Sequence, residues 1–482
     1  MILDNLPATP KRPGRWLELG LLVLAAIIVL LSAAAVELSQ GNTLTVDLMY
    51  IFGGFLAIFG VAHIAVRIWA PWADELILPV VALLNGLGLV VIHRLYLGEL
   101  KDGTSPDGAV FRHLFSNPGF SVEKQLMWTV IGVVLLVAVL LLLRDYRALG
   151  HYAYILGLLG VVLMVLPLFW PAAINADAKL WISIGPFTVQ PSEFSKILLL
   201  IFMAKLLSTK RSQFNTEGYR FFGLQFPRMR DLMPILLVWA LAMLIMAVAN
   251  DFGPALLLFA TILGMIYIAS GRASWLLIGV VLIGIGGTVV YQFSDKIQTR
   301  VSNFIDPLAT FDTTGRQLAE GLFGMSWGGM TGTGLGNGYP QDIPVVESDF
   351  ILAAVGEELG LVGLAAVLLL FAVLVTRGFG AAMQVPDNFG KLLAAGLALI
   401  IALQLFVVVG GITAILPMTG LTTPFMSAGG SSLMSNYILV ALLLAISSYA
   451  NCPPELRPGQ KELQRDKASA RKADAADAEV MS

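Results

Sequence analysis

The sequence predicts an all-α, polytopic integral membrane protein of about twelve transmembrane helices. Three observations predict it. Of 482 residues, 57% are hydrophobic and only 13% charged, where an ordinary soluble domain carries about 25% charged residues. The mean hydropathy is +0.81. Apolar runs of about 20 residues, the length that spans a bilayer as a helix, recur along the chain.

The runs fall at 17–36, 48–69, 76–97, 124–143, 152–170, 191–207, 232–249, 252–269, 274–293, 350–376, 391–416 and 430–449. The first follows a polar start with Lys11, Arg12 and Arg15, and no small-residue cleavage site follows it, so it reads as a retained helix. The runs on either side of Asn250-Asp251 are separate, because merged they make one implausibly long helix. Placing the N-terminus in the cytoplasm puts Arg144, Arg147, Lys205, Lys210, Arg211, Arg220, Arg228, Arg230, Arg272 and Arg377 on the inner side, as the positive-inside rule requires. The short loop with Asp74 and Glu75 fits poorly. The outer segments are then 37–47, 98–123, 171–190, the break at 250–251, 294–349 and 417–429. The chain divides into a cytoplasmic tail (1–16), four N-terminal helices (17–150), a membrane core (151–450) with a large extracytoplasmic loop (294–349), and a charge-alternating tail (451–482) that reads as disordered and cytoplasmic.

Several classes are excluded. Cys452 is the only cysteine, so there is no internal disulfide and no zinc cluster. His63, His93, His113 and His151 form no metal-binding pair, and read as interfacial or packing residues. No phosphate-loop or dinucleotide fingerprint appears. A net charge of −2 gives no reason to expect nucleic acid.

Four polar stretches gather on the outer side. The first is Gln190-Pro191-Ser192-Glu193-Phe194-Ser195-Lys196. Pro191 and Ser192 suit a helix start, and Glu193 and Lys196 share a face. Two readings stand: a structural ion pair, or a lysine facing a cavity and binding an anionic group. The second is Asn250-Asp251-Phe252-Gly253-Pro254, either an Asp cap or part of an ion site where two helix ends meet. The third is loop 294–349, with Arg316, Gln317 and eight glycines between Gly321 and Gly338. That glycine density suggests a flexible loop of tight turns, or a weak phosphate cradle. The fourth is Leu421–Ser432, in which Ser431 and Ser432 either cap the last helix or line a site.

Asp349 stands where the long loop meets a spanning helix. It is either that helix's N-cap, with Ser348, or a functional carboxylate at the membrane rim. Glu357 and Glu358 lie about 12 Å further along the helix axis. Two charges there, each costing on the order of 2.5–3.5 kcal/mol, imply a polar interior or partners.

Taken together, the motifs from Gln190 to Lys196, Asn250 to Gly253, Ser348 to Phe350 with Gly356 to Gly360, and Pro424 to Ser432 resemble the SEDS family of shape, elongation, division and sporulation proteins, RodA, FtsW and SpoVE. The likeness covers about 152–449 and leans to RodA-like members of actinobacterial type. It implies an inverting peptidoglycan glycosyltransferase that polymerises lipid II at the outer face of the bacterial cytoplasmic membrane, for cell shape in elongation or division. It implies a class B penicillin-binding protein as transpeptidase partner, and contact with membrane lipids. It implies no certain cofactor, with a divalent cation, magnesium or manganese, allowed. Asp349 matches the family's essential acidic residue, Glu193 and Lys196 its ion pair, and Asp251 and Gln317 further polar positions. The chain departs in having two extra N-terminal helices, Glu347-Ser348 before the aspartate, and altered residues at Thr422-Thr423 and Met426-Ser427-Ala428.

The chemistry fits those residues. A sugar hydroxyl is a poor nucleophile, and a positioned carboxylate activates it. A diphosphate leaves without an acid, so one base suffices, unlike the carboxylate pair of glycosidases. Charge gathering on the diphosphate needs cations or oriented N–H groups, with Lys196 and Arg316 as candidates. Gly360, Gly363, Ala365 and Ala366 suggest a close-packing surface for the partner's span. Two other readings remain: a flippase or other transporter of lipid-linked precursors, suited by broken helices, and a non-catalytic scaffold.

Overall fold

A computed structural model describes residues 14–42, 46–101, 122–143, 145–170, 181–184, 187–209, 219–221, 224–226 and 252–457. Eleven of the twelve apolar runs fall there, and each forms a helix. They are α1 (Trp16–Ser39), α2 (Val46–Trp69), α3 (Ile77–Lys101), α4 (Val122–Leu142), α5 (Ala153–Phe169), α6 (Pro191–Thr209), α7 (Phe252–Ser270), α8 (Ser274–Phe293), α11 (Ile351–Gln384), α12 (Asn388–Ile412) and α13 (Gly430–Asn451), with α9 (Asp295–Ile305) and α10 (Arg316–Gly328) between. The run at 232–249, His113 and Asp251 lie outside the described residues. Nine of these helices are long and apolar enough to cross a membrane. Two antiparallel strand pairs, β1 (Ile182–Ile184) with β2 (Phe187–Val189) and β3 (Tyr219–Phe221) with β4 (Leu224–Phe226), are the described sheet structure.

The last helix is the axis of the bundle. In α13, 89% of the spanning window is buried, against 11% in α8, which therefore faces lipid. α13 packs on α4, where Tyr437 lies over Gly132. In lipid such contacts rest on close packing, and small residues let the helices approach. α3 is almost as buried, and Gly88 meets the backbone of Met426: a Cβ there would lie 2.5 Å from the Met426 carbonyl oxygen.

Loop 294–349 is not the flexible loop that its glycines suggest. It holds α9, a π-helical turn at Phe311–Gly315, α10 and a 3-10 turn at Pro340–Asp342. Its glycines serve close approach to a helix break. α11 is interrupted at Gly360, which has φ +67° and ψ −170°, a conformation nearly confined to glycine. The freed backbone groups are answered by the loop. Thr333 and Gly334 N–H donate to the Glu357 and Glu358 carbonyls (3.0 and 2.9 Å), while Leu361 and Val362 N–H donate to Gly329 and Met330 (2.9 and 3.1 Å). Irregular backbone at such a depth survives only when protein satisfies it. Gly360 is therefore buried against the loop, and of the expected partner surface only Ala365 and Ala366 are exposed.

The end of the bundle away from the motifs is closed by polar contacts. Glu18 is buried between Arg15 and His63, whose Nδ1 lies 2.6 Å away. Asp74 takes Arg377 at 3.5 Å, and its N–H donates to Ser447 Oγ at 3.0 Å. These pairings account for acidic residues on a side the charge rule expects to be basic. Toward the other end of α1, His93 pairs with Glu37 at 2.7 Å, so His63 and His93 are both carboxylate partners.

Candidate active site

Three of the four polar stretches, and the described part of the fourth, converge at one end of the bundle around the segment from Thr419 to Ser432. That segment is held from every side. Asn85 on α3 donates to the Phe425 carbonyl (3.1 Å), and Gln125 on α4 to that of Ser427 (3.1 Å). The Thr129 hydroxyl of α4 lies within bonding distance of Asn85 Oδ1 on α3 and of the Gln125 backbone carbonyl (3.2 and 2.9 Å). The Ala428 N–H donates to the Glu347 carbonyl (2.8 Å), and the Ser427 hydroxyl to that of Ser348. Phe425 sits at φ +65°, a strained setting for a bulky residue, sustained by these bonds and by its edge-on packing against Tyr437 (6.1 Å).

Glu193 and Lys196 pair at 2.6 Å across the first two turns of α6, both buried. Ser435 donates to Glu193 Oε2 (3.0 Å), and Lys196 Nζ also lies 3.4 Å from Gln404 Oε1. Gln404 in turn donates to the Thr422 carbonyl (2.7 Å), and the Thr422 hydroxyl to Ser432 (2.9 Å). The pair is thus one end of a polar chain running from α6 through α12 to the motif loop. Ser192, Glu193 and Lys196 border a cavity of about 10 Å³, room for about one water. Ser431 and Ser432 do not cap α13, whose N-cap Gly429 makes no side-chain bond. Ser431 instead accepts from the Gln190 N–H (2.8 Å), drawing the first motif onto the last. From the second motif, Gly253 touches the same segment: a Cβ there would lie 2.7 Å from the Thr419 oxygen.

Asp349 is not an N-cap. Phe350 occupies that position and no side chain caps α11. Asp349 as a residue is half-buried, and its carboxylate lies over Gly420, whose missing Cβ would be 3.6 Å from Asp349 Oδ2 and 3.0 Å from Arg300 Nη2. Gly420 has φ +75°, so a side chain there is strained as well as intrusive. Burial pushes the Asp349 carboxyl above the ordinary aspartate range, against the Ser348 hydroxyl and the Arg300 guanidinium, which pull it down. Arg300 Nη1 donates to the Thr419 carbonyl (2.9 Å).

Glu357 and Glu358 have the partners that their depth demands. Glu358 pairs with buried Arg94 of α3 (2.6 Å), which also donates to the Gly338 carbonyl (2.7 Å). Glu357 accepts from the Tyr339 N–H (2.6 Å). Gln317 donates to the Pro344 carbonyl (2.7 Å), bracing the loop before Asp349. Arg316 is exposed and pairs with Glu320 (2.7 Å). Among the described residues no cluster of three His, Cys, Asp or Glu side chains forms, so they do not fit a divalent cation held by the protein alone. Sequence reading missed Asn85, Arg94, Gln125 and Gln404, although polar residues inside apolar spans were the available signal. It also missed Arg300, a loop arginine that nothing in its neighbourhood singles out.

Fold and site define a multi-pass membrane protein with a braced polar site at one end of its bundle and a carboxylate at the site's edge. The family model of FtsW, RodA and SpoVE, described as cell cycle protein, matches residues 103–452, and the chain belongs to that family. It is 45% identical to peptidoglycan glycosyltransferase RodA of Mycobacterium tuberculosis over 94% of this chain and 95% of the relative. It is 31% identical to stage V sporulation protein E of Bacillus subtilis over 78% of this chain and 97% of that one. The mycobacterial relatives bear out the lean to RodA-like proteins of actinobacterial type. Among solved structures, one of a peptidoglycan synthase complex that coordinates polymerization and crosslinking matches at TM-score 0.56 and 25% identity, over 75% of this chain and 96% of that one. The rod shape determining protein RodA of Thermus thermophilus shares the fold at TM-score 0.54 and 22% identity, over 78% and 96%.

Proposed function

We propose that the protein is a peptidoglycan glycosyltransferase that polymerises lipid II, with Asp349 as general base. The observation that carries this reading is the Asp349 carboxylate at the start of α11, beside Arg300 and over side-chain-free Gly420. The acceptor hydroxyl gives its proton to Asp349 as its oxygen bonds to the anomeric carbon of the donor. The bond from that carbon to the diphosphate breaks, its electron pair leaves with the lipid diphosphate, and Asp349 returns the proton to water. Inversion follows from attack opposite the leaving group. Glu193 and Lys196 neutralise each other and hold the motif loop in register. The supporting relatives carry the same activity in their names.

The purified protein in detergent, given lipid II, is expected to form glycan strands, more readily with a class B penicillin-binding protein bound. Ala366→Trp, on the exposed face of α11, is expected to weaken that complex. No strands, together with lipid II crossing a liposome bilayer, would show a transporter instead.

The motif end faces outward and both chain ends lie in the cytoplasm. Cys452 is buried, so labelling has to be read from new cysteines. Met383→Cys, at a position 78% exposed near the end of α11, should react with an impermeant thiol reagent only in opened cells. Asp306→Cys, beyond α9, should react in intact protoplasts. The reverse pattern would invert the topology and remove Asp349 from the outer face.

A further inference from the structure

α9 follows α8 after a single residue, Ser294, so it lies where a lipid-facing helix ends. None of its residues is buried. Ile297, Val301, Phe304 and Ile305 form one apolar stripe, flanked on one side by Lys296 and Arg300, four residues apart. Ile305 in the stripe is 74% exposed, and Phe293 at the end of α8 is 84% exposed. An amphipathic helix with a basic flank suits the plane of a bilayer surface, its apolar edge among the acyl chains. From that depth Arg300 reaches inward to the Thr419 carbonyl and the space over Gly420 that it shares with Asp349.

We propose that Arg300 binds the diphosphate of a polyprenyl-linked substrate, with α9 seated in the outer leaflet to set the height at which that headgroup enters. This rests on the glycosyltransferase reading and adds to it the residue that meets the leaving group. A guanidinium matches phosphate oxygens with paired N–H donors. It is always charged, and a lysine does not reproduce its geometry. Charge accumulates on the diphosphate as the glycosidic bond breaks, and a cation held in place by a backbone carbonyl meets it without reorganising. Asp349 and Arg300 then divide the reaction, the carboxylate taking the acceptor's proton and the guanidinium holding the departing diphosphate.

The test compares wild type, Arg300→Gln and Arg300→Lys in lipid nanodiscs, by binding of farnesyl diphosphate and farnesyl monophosphate and by KM for lipid II. Arg300→Gln is expected to weaken diphosphate binding about tenfold or more, to leave monophosphate binding much less changed, and to raise KM; Arg300→Lys should fall between. Equal losses for both lipids, or unchanged diphosphate binding, overturn the proposal. If Arg300→Gln lowers the melting temperature, Arg300→Lys, which retains a donor for Thr419, is decisive by the same comparison. A wild type that makes no strands refutes the enzymatic reading and leaves the binding comparison standing.

Discussion

Replacing Asp349 by Asn is expected to cut lipid II polymerisation by at least about a hundredfold, the lower range for losing a general base, while the protein stays folded and bound to its partner. Burial raises the Asp349 carboxyl above its ordinary range. A carboxyl whose folded pKa exceeds its unfolded one favours folding below the unfolded value, and that contribution is lost as pH rises through the folded value. At neutral pH the charge is therefore a liability to the fold, so the melting temperature of Asp349→Asn should equal or exceed that of the wild type. The ionised form is the active one. Wild-type activity should thus fall on the acid side at a pH above that of an ordinary aspartate. Arg300→Gln, by removing a cation that favours the charge, should move that limb higher still. A fully active Asp349→Asn, or an acid limb unmoved by Arg300→Gln, contradicts the assignment.

Arg94→Met and Glu358→Met are each expected to destabilise the protein by about 3–5 kcal/mol, because each strands a buried charge. Both side chains lie almost wholly inside. The double variant should recover much of that loss, since two apolar side chains leave no charge unpaired. It should not recover all of it, because Arg94 also holds the Gly338 carbonyl. Thermal unfolding of the three variants in detergent gives the comparison. Single variants near wild type, or a double variant as unstable as the two losses added, would mean that the pair does not brace the broken helix. Activity should follow, because Glu357 and Glu358 anchor the loop that leads into Asp349.

The helices were legible because hydrophobic run length is a local property. Apart from α11, whose break at Gly360 draws on the loop, each of the described runs needs only its own residues to satisfy its helical backbone in lipid. The Glu193–Lys196 pair was legible for the same reason, being one turn apart on a single helix. Glycine-rich 321–338 misled, because glycine signals both flexibility and close approach. Only the neighbour, here the interrupted α11, decides which. Ser348 with Asp349, and Ser431 with Ser432, misled similarly: a helix-start residue reads as a cap until the fold offers it another partner, as Gln190 is to Ser431.

The sequence by itself determined that the chain spans a membrane many times, where its helices run, and which family motifs it carries. The tertiary structure decided what those motifs touch. It set Arg300 beside Asp349 across Gly420, tied Glu358 to Arg94 of α3, and wrapped the Thr419–Ser432 segment in amides from α3, α4 and α12. Spans are written in nearest-neighbour hydrophobicity along the chain. A site is written in contacts between residues tens to hundreds of positions apart, which form only when helices pack closely enough that every buried polar group must find a partner.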